Sequence, residues 1–568
     1  MALELETLPA VQAAPPKSLR LGDWIAPAAV IAISAAAWAF LFRVIPPDRQ
    51  NFPLADDWAY ARGFLMFARG QGLHYLNWAP MPQLTQWLWA LPFYWLGPPA
   101  LPLVSLRIST IVISWLGLWG FYELLRQGGL SSARAAFGTA LLALNPLFLL
   151  IQGSFMTDIP SLSLCLLALA FYGRAINGAK AGWLLPAIVA AVLAGINRQN
   201  SVAAPMAAAI MLWRRPALRR QLPWGAAVAI PLAVAVAVHL WFTDRQDVMH
   251  LPPRVLAPTM TLVLPFAMVL YCGLAALPML LLNPRPNSWK AWLIAFAVLL
   301  AFVVYWLPNG KYLPRGDLFP YIDGHITPFG PYSNFTLIGD RPELLDRPLR
   351  WALTMLACLG AASLIERTIA AGREGRLWEP LTLFAFVSIP FIIISDLFDR
   401  RFLFLFPAAI YLAGLGRGQS ARWWIPSLAT CALWAAAALG ITHDSLTWNA
   451  ARWALGRRAV EQRHIHPWNI EGGFEWDASY APLEERPAAA PADKHFLLIF
   501  SKQQFTHVTH CYALAFTQPP GTVVIDSESY SQWLLRGKFA YLLVRYPNVP
   551  LEQRRTGVAD PWAASPGH

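Results

Sequence analysis

Residues 24–43 read WIAPAAVIAISAAAWAFLFR, an apolar run long enough to cross the hydrocarbon core of a bilayer as one helix. Apolar runs recur along most of the chain and are candidate membrane spans. They cover residues 24–43, 84–97 leading into 101–125, 135–152, 159–176, 182–196, 200–213, 223–242, 257–282, 290–307, 350–369, 379–396, 401–416 and 423–442. The short run 84–97 suits an interfacial or partly embedded helix. The sequence therefore predicts an all-α polytopic membrane protein with about thirteen transmembrane helices.

The composition excludes a soluble enzyme. The chain has 568 residues, of which 57% are hydrophobic and only 13% charged, whereas soluble proteins carry about 25% charged residues. Its 27 tryptophans are typical of a protein with many helix ends at the membrane interface. The net charge of +12 lies largely in loops between the apolar runs, so it indicates topology and does not predict a nucleic-acid partner.

The five cysteines predict neither a disulfide framework nor a metal site, because four lie within apolar runs and no metal-ligand spacing is present. The N-terminal leader, residues 1–23, is polar and lacks a small-residue cleavage site before the first apolar run. We therefore expect that run to be a retained anchor. Internal repeats are not visible, which weakens a transporter interpretation.

Loop charges predict the orientation of the chain. Short loops rich in Lys and Arg alternate with loops of different character, and the positive-inside rule assigns the basic loops and the leader to the cytoplasm. The opposite face then holds a first outer loop at residues 44–83 and a large outer loop at residues 308–349. An odd number of crossings also places the C-terminal segment on this outer face.

A soluble composition begins after the last apolar run. We therefore predict a transmembrane domain at residues 24–442 and a small α/β domain at residues 443–568. Within the latter, the apolar runs Phe496–Phe500, Val523–Ile525 and Tyr541–Val544 lie between turn signals, as strands do. No catalytic motif is recognisable in this C-terminal domain.

Residues 51–63, NFPLADDWAYARG, place two adjacent carboxylates just after the first membrane span. Asp56 and Asp57 have two competing interpretations. Either they cap a short helix at the water surface, a position that Asp favours, or they form a reactive centre. The stretch alone does not decide between the two.

Three further charged turns fall on the predicted outer face. Asp158 begins one span, Arg198 and Gln199 follow in the next outer turn, and Arg400 and Arg401 precede a later span. Each has a structural alternative: capping for Asp158, contact with lipid headgroups for Arg198, and interfacial anchoring for Arg400 and Arg401. Ionisable residues at membrane depth usually face an internal cavity and serve a function, so their shared face favours one site.

Carboxylates and arginines together suit the transfer of a sugar from a lipid-linked phosphate. One carboxylate deprotonates the acceptor hydroxyl, and arginines hold the departing phosphate. Glycoside hydrolysis by two carboxylates explains the arginines less well. A transporter or lipid flippase predicts polar residues deep within broken spans. A non-catalytic scaffold leaves the charged turns unexplained.

These features resemble the GT-C superfamily of membrane glycosyltransferases, in particular bacterial proteins related to protein O-mannosyltransferases and the lipid A aminoarabinose transferase (glycosyltransferase family 39-like). The resemblance covers roughly residues 24–442 and rests on the order and spacing of a few elements. These are Asp56–Asp57 followed by Tyr60, Asn145–Pro146 leading to Met156–Thr157–Asp158, Arg198–Gln199, and the element from Arg401–Phe402 to Pro407. It implies an inverting transferase of the bacterial inner membrane that uses a polyprenyl-phosphate sugar, with its site facing the periplasm.

The resemblance also implies roles for individual residues. Asp56 matches the catalytic acidic position, and Asp57 stands where many relatives have Glu, so either can be the base. Asp158 matches a second acidic position that helps to shape the active site. The remaining candidates are Arg198, Arg400 and Arg401 for the donor phosphate, and Tyr60, Gln199, Lys311 and His325 for substrate contacts.

The implied partners are a polyprenyl-phosphate sugar donor, an envelope acceptor with a hydroxyl group, and membrane lipids, with no nucleic acid. A divalent metal stays open, because some relatives require one and others do not. The sequence identifies neither the sugar nor the acceptor.

Overall fold

A computed structural model of the protein describes residues 22–76, 78–248, 258–284, 288–306, 318–321, 324–331, 338–394, 398–415, 421–482, 507–509 and 511–547. Within these residues the chain is predominantly helical, as predicted, and its strands form two small sheets. The helices are α1 (Gly22–Val44), α2 (Asp57–Ala68), α3 (Leu84–Leu96), α4 (Pro102–Gln127), α5 (Ser132–Ala143), α6 (Pro146–Gln152), α7 (Asp158–Gly178), α8 (Leu184–Gly195), α9 (Ala203–Trp213), α10 (Pro216–Arg219), α11 (Leu222–Thr243), α12 (Pro258–Leu280), α13 (Trp289–Ala301), α14 (Arg347–Arg373), α15 (Pro380–Ile394), α16 (Phe406–Gly414), α17 (Trp424–Glu461) and α18 (Phe474–Ser479).

Several helices have the length and apolar composition of membrane spans. Among the described residues, six meet this criterion, and the bent pair α5–α6 makes up to seven. The six are α1, α4, α7, α11, α14 and α17. Shorter apolar helices cover Ala181–Gly195, Leu264–Leu280, Trp289–Val304 and Pro380–Ile394. The chain is therefore a multi-pass helical membrane protein, and the count of thirteen crossings stays a prediction.

The apolar run predicted as a span over residues 135–152 is broken into two helices. Helices α5 and α6 meet there at a bend of 61°. The Asn145 side chain accepts hydrogen bonds from the backbone N–H groups of Leu147, at 3.0 Å, and Phe148, at 3.3 Å. Pro146 then occupies the start of α6, where its missing N–H costs nothing. A cap followed by a proline starts a new helix inside a run whose hydrophobicity is continuous.

Helix α4 packs closely against α7, the helix that begins at Asp158. A Cβ atom on Gly117 of α4 would lie 2.5 Å from the Cα atom of Ser163 in α7. Only glycine allows this approach, and small residues commonly bring membrane helices into such contact. Asp158, at the start of α7, lies five residues before this contact.

The C-terminal sheet contains β3 (Ile470–Glu471), β4 (Tyr512–Ala515), β5 (Val523–Gln532) and β6 (Gly537–Arg545) in the order β3-β4-β6-β5. β3 and β4 are parallel, and the other pairs are antiparallel. The strands predicted at Val523–Ile525 and Tyr541–Val544 fall within β5 and β6 and are confirmed, whereas Phe496–Phe500 lies outside the described residues. In the large outer loop, β1 (Ile326–Thr327) pairs with β2 (Gly330–Pro331).

Helix α17 crosses the predicted domain boundary at residue 443 without a break, from Trp424 to Glu461. Its first half coincides with the predicted span at 423–442, and its second half carries buried polar side chains, among them Asn449 and Arg452. The change of composition near residue 443 therefore falls within one continuous helix, and the two halves of that helix have different surroundings.

Candidate active site

The candidate site is a chain of ion pairs that joins four side chains from distant parts of the sequence. Arg400 Nη2 lies 2.9 Å from Asp56 Oδ2, and Arg400 Nε lies 3.9 Å from Asp158 Oδ2. Arg198 Nη1 lies 2.7 Å from Asp158 Oδ1. The Asp158 side chain is only 1% exposed, whereas that of Asp56 is 17% exposed. The structure thus brings together four of the predicted residues, and Asp56 is the carboxylate with open access.

Asp158 and Arg198 turn toward each other inside the protein. Thr157, at the N-cap of α7, makes no side-chain cap, and its Oγ1 accepts a hydrogen bond from Arg198 Nη1 at 2.9 Å. The Asp158 carboxylate lies in the first turn of α7, where the helix dipole favours negative charge. Arg198 is 2% exposed and does not reach lipid headgroups, so the interfacial interpretation is wrong for this residue.

Asn197 holds the turn that carries Arg198, and the sequence analysis did not select it. Its Oδ1 accepts a hydrogen bond from the backbone N–H of Gln86 at 3.0 Å, and its Nδ2 donates to Ser161 Oγ at 3.0 Å. Its carbonyl oxygen accepts from Gln83 N at 3.2 Å. The available signal in the sequence was its place beside Arg198 in a predicted outer turn. A buried amide needs several hydrogen-bond partners, and Asn197 has them here.

Asp56 occupies the N-cap position of α2 without capping it. Its backbone has φ −71° and ψ −4°, unlike the extended conformation of ordinary caps, and its side chain accepts no hydrogen bond from the helix. Instead, Asp56 Oδ2 accepts a hydrogen bond from Arg400 Nη2. The helix-cap interpretation is therefore wrong for Asp56.

The two adjacent carboxylates have different surroundings. Asp57 is 3% exposed and accepts hydrogen bonds from the backbone N–H groups of Leu54 and Phe155, the latter at 3.2 Å. These bonds join the first outer loop to the turn that precedes α7. The Asp57 carboxylate thus binds backbone N–H groups, and of the two carboxylates only that of Asp56 pairs with Arg400.

Burial raises the pKa of the Asp57 carboxyl to about 8, although the charge of Arg107 and the two backbone N–H groups act in the opposite direction. Arg107 Nη1 donates to the carbonyl oxygen and to Oε1 of Gln50, both at 3.1 Å, and its Nη2 donates to Phe52 O at 3.2 Å. Arg107 lies inside an apolar run and was not among the predicted site residues. A charged residue within a membrane span was the signal.

We expect the apparent melting temperature of Asp57→Asn, relative to wild type, to rise as the pH is raised from about 4 to about 8. Burial raises the pKa of Asp57 from 3.8 to about 8, so the native state keeps a proton that the unfolded chain releases. This contribution to stability is complete below the unfolded pKa and is lost as the pH rises through the native one. The Asn side chain does not titrate, so the variant does not lose this contribution to stability as the pH rises. Thermal unfolding in detergent measures the difference, and a difference that does not change with pH would contradict the assignment.

Tyr60 lies beside the ion-pair chain. It is buried in α2, and burial is the main cause of the raised pKa of its phenol, which therefore stays neutral. The phenol interacts electrostatically with Asp56, Arg400, Asp158 and Arg401. Arg401 consequently belongs to the neighbourhood of the ion-pair chain, and Tyr60 adds a neutral hydroxyl there.

Hydrogen bonds to Asp399 hold the described part of the large outer loop next to Arg400. Asp399 Oδ1 accepts a hydrogen bond from the backbone N–H of His325 at 3.0 Å, and Asp399 Oδ2 accepts from that of Ile326 at 2.9 Å. His325 Nδ1 also lies 3.4 Å from Asp399 Oδ1. His325 is 4% exposed, so the structure gives this predicted substrate contact a buried position next to Asp399.

Two other predicted substrate contacts are not placed at the ion-pair chain. Gln199 Nε2 donates to the carbonyl oxygen of Pro80 at 2.9 Å and so joins its turn to the first outer loop. Lys311 lies outside the described residues. The described residues thus give no contact between Gln199 and Asp56.

Three arginines at or beside the ion-pair chain have buried hydrogen-bond donors with no partner among the described residues. Arg198 Nη2, Arg400 Nε and Arg401 Nε are buried and donate no hydrogen bond to the part of the chain that the structure describes. Buried polar groups are normally satisfied, so these donors indicate a place for an acceptor. Three guanidinium groups also outnumber the carboxylates of Asp56 and Asp158. The arrangement therefore suits a bound anion, for which guanidinium groups supply charge-assisted hydrogen bonds.

The donor set does not fit a divalent metal. Within the described residues, no group of three or more His, Cys, Asp and Glu side chains could hold a metal ion. Asp56 and Asp158 are each paired with a guanidinium group, whose positive charge would repel a cation. We therefore assign no step of the chemistry to a metal.

Residues 81–241 match the family model described as dolichyl-phosphate-mannose-protein mannosyltransferase. The matched part contains Asp158 and Arg198, but not Asp56 or Arg400. This match confirms the predicted resemblance to membrane glycosyltransferases for that part of the chain. No curated protein matches the chain.

Several solved structures show weak similarity. A chain of the S. cerevisiae protein O-mannosyltransferase Pmt1-Pmt2 complex, bound to the sugar donor, is 14% identical, with a TM-score of 0.31, over 40% of this chain and 35% of that one. ArnT from Cupriavidus metallidurans, bound to undecaprenyl phosphate, is 13% identical, with a TM-score of 0.41, over 94% and 100%. Arabinosyltransferase EmbB from Mycobacterium smegmatis is 14% identical, with a TM-score of 0.34, over 77% and 42%. This chain thus spans about a third of the yeast chain. No residue role follows from similarities as weak as these three.

Proposed function

We propose that this protein is a membrane glycosyltransferase. It transfers a sugar from a polyprenyl-phosphate donor to a hydroxyl group of an envelope acceptor, with inversion at the anomeric carbon. The observation that supports this most directly is the ion-pair chain from Asp56 through Arg400 and Asp158 to Arg198, which carries unfilled guanidinium donors. We further propose that the site faces the periplasm of a bacterial inner membrane, with the N-terminus in the cytoplasm and the C-terminus in the periplasm.

In this reaction Asp56 is the general base. Its carboxylate takes the proton of the acceptor hydroxyl while the hydroxyl oxygen attacks the anomeric carbon. The bond from that carbon to the phosphate oxygen breaks, and the lipid phosphate leaves with the electron pair as an anion. Attack from the face opposite the phosphate inverts the configuration. Asp56 suits this role because its side chain is partly exposed and, among the described residues, only its Oδ2 has a hydrogen-bond partner.

The arginines stabilise the departing phosphate in the proposed reaction. Negative charge grows on the leaving phosphate, and fixed cationic donors aimed at that charge stabilise the transition state. Arg198, Arg400 and Arg401 offer such donors. Asp158 lies within ion-pair distance of both Arg198 and Arg400, so its proposed part is to orient these two guanidinium groups.

The test is transfer of label from a radiolabelled polyprenyl-phosphate sugar to an envelope fraction by membranes that contain the protein. We expect a new glycosidic bond that resists extraction of the donor lipid. Movement of the intact donor between leaflets without bond formation would support a lipid flippase instead. Absence of transfer to every envelope fraction, with the protein folded, would contradict the proposed function.

We expect transfer to be insensitive to metal removal. Arg400 and Arg198 pair with Asp56 and Asp158, and the described residues contain no group of three or more His, Cys, Asp and Glu side chains that could hold a metal ion. The initial rate after treatment with EDTA should therefore stay within about twofold of the rate with added Mg²⁺, because in the proposed reaction the arginines stabilise the leaving phosphate. Loss of activity in EDTA and its recovery with Mg²⁺ would show that the arginines are insufficient.

A further inference from the structure

Hydrogen bonds join the C-terminal segment to the first outer loop on both sides of Asp56. Before it, Arg457 Nη2 donates a hydrogen bond to the carbonyl oxygen of Asn51. After it, Arg62 Nη1 donates to the carbonyl oxygens of Ser479, at 3.3 Å, and Ala481, at 3.0 Å. This part of the C-terminal segment is therefore packed directly on the loop that carries the proposed base.

Rings from the two parts of the chain also meet next to the site. Phe474 of α18 packs with its ring centroid 6.1 Å from that of Trp58 and 4.9 Å from that of Trp78. Trp58 is two residues after Asp56 and is 3% exposed. Aromatic pairs at these distances add to the stability gained from burial, so the contact is a fixed interface.

Ala55, immediately before Asp56, has an unfavourable backbone conformation. Its φ is +52°, in the left-handed region. A residue with a Cβ atom rarely adopts this region because of steric crowding with its own backbone. Such strain persists only where surrounding contacts enforce it, and it commonly occurs at functional sites. The contacts around Ala55 therefore matter for the conformation of the loop at Asp56.

Glu475 in α18 contacts Ala55 directly. Glu475 Oε1 accepts a hydrogen bond from the backbone N–H of Ala55 at 3.2 Å. Its other oxygen, Oε2, accepts from Arg452 Nη1 at 3.0 Å, and the same Nη1 donates to Gly472 O at 3.2 Å. Because the Arg452 side chain is completely buried, it fixes the direction of the Glu475 carboxylate.

We propose that Glu475 is a positioning residue for the proposed base. Backed by Arg452, it holds Ala55 in the left-handed conformation and thereby directs the Asp56 side chain toward Arg400. Asp57 does the same for the preceding residue, since its carboxylate accepts from the N–H of Leu54. The C-terminal segment is then part of the machinery that shapes the active site. This inference rests on the proposed function of Asp56.

The test is a double-mutant cycle between Glu475→Ala and Ala55→Gly, with kcat for sugar transfer as the measurement. Without the Glu475 carboxylate, Ala55 relaxes out of the left-handed region and Asp56 moves, so kcat should fall about 5- to 30-fold, the factor that corresponds to the left-handed strain. KM for the donor should change little, since the arginines stay in place. Glycine adopts the left-handed conformation freely, so the same change in the Ala55→Gly background should cost much less.

Glu528→Gln is the matched control. Glu528 also joins the C-terminal sheet to the first outer loop, through an ion pair of 3.2 Å with Arg49, but this contact lies away from Ala55. Glu528→Gln removes the charge from this ion pair and from a second one, of 2.9 Å with Arg458, and should leave kcat unchanged. Should Glu475→Ala fail to fold, Glu475→Gln serves in the same cycle. It loses the charge that pairs with Arg452.

The outcomes separate this inference from the proposed function. A fall in kcat that Ala55→Gly suppresses supports the positioning role. An unchanged kcat in Glu475→Ala, or an equal fall in both backgrounds, overturns it while transfer by the wild type stands. If the wild type itself transfers no sugar, or if Asp56→Asn is fully active, the proposed function fails, and the inference fails with it.

Discussion

Replacing Asp56 by Asn should lower kcat for sugar transfer by about 10²- to 10⁴-fold, the usual contribution of a general base. The amide has the shape of the carboxylate and still accepts a hydrogen bond from Arg400, but it takes up no proton from the acceptor hydroxyl. The binding of the donor phosphate depends on the arginines, so KM for the donor should change little. Initial rates of label transfer, with the amount of folded protein determined in parallel, measure the effect.

Two neighbouring carboxylates provide the controls. Asp48→Asn removes an exposed carboxylate from the same loop and should leave the rate unchanged. Asp57→Asn should mainly alter the pH dependence of stability and cost less activity than Asp56→Asn, since Asp57 binds only backbone groups among the described residues. A larger loss in Asp57→Asn than in Asp56→Asn, at equal amounts of folded protein, would transfer the role of base to Asp57.

Replacing Arg400 by Gln should lower kcat/KM for the donor by about 10²- to 10³-fold, comparable to the removal of one oxyanion donor. Arg400 lies between two carboxylates, 2.9 Å from Asp56 and 3.9 Å from Asp158, and its Nε has no hydrogen-bond partner among the described residues. Its loss removes both the group that orients the base and one that holds the phosphate. Initial rates over a range of donor concentrations measure the loss.

Arg400→Lys tests whether the geometry matters as well as the charge. A single ammonium group cannot reproduce the planar fork that reaches both carboxylates, so Lys should restore only part of the activity. Arg463→Gln is the matched control, because it removes a 42% exposed guanidinium group that pairs with Asp526 far along the chain. Equal activity of Arg400→Gln and wild type would exclude Arg400 from the reaction.

Several features were predictable because they depend on local patterns. Hydrophobic runs predicted the membrane helices, and they did so without knowledge of packing. The position of charges in turns predicted that Asp56, Asp158, Arg198 and Arg400 would come together, and the structure places them in one chain of ion pairs. Hydrophobicity alone did not predict the bend at Asn145, where a side-chain cap outweighs a continuous apolar pattern.

The residues that the sequence analysis missed act through long-range contacts. Asn197 binds the start of α3 and the first part of α7, and Arg107 binds the carbonyl groups of the first outer loop. Glu475 is separated from its partner Ala55 by 420 residues. Nothing in the local composition of the C-terminal segment marks this glutamate, because its partner is a backbone N–H that any residue other than proline carries.

By itself, the sequence determined that the chain is a multi-pass helical membrane protein and that its charged residues gather in a few turns. It left the choice between Asp56 and Asp57 open, since both have the same chemistry and adjacent positions. Only the tertiary structure distinguishes them. Backbone folding turns the Asp57 side chain inward, where burial raises its pKa and backbone groups occupy it, and turns the Asp56 side chain toward Arg400. Which way each of two neighbouring side chains points depends on contacts with residues far away in the sequence.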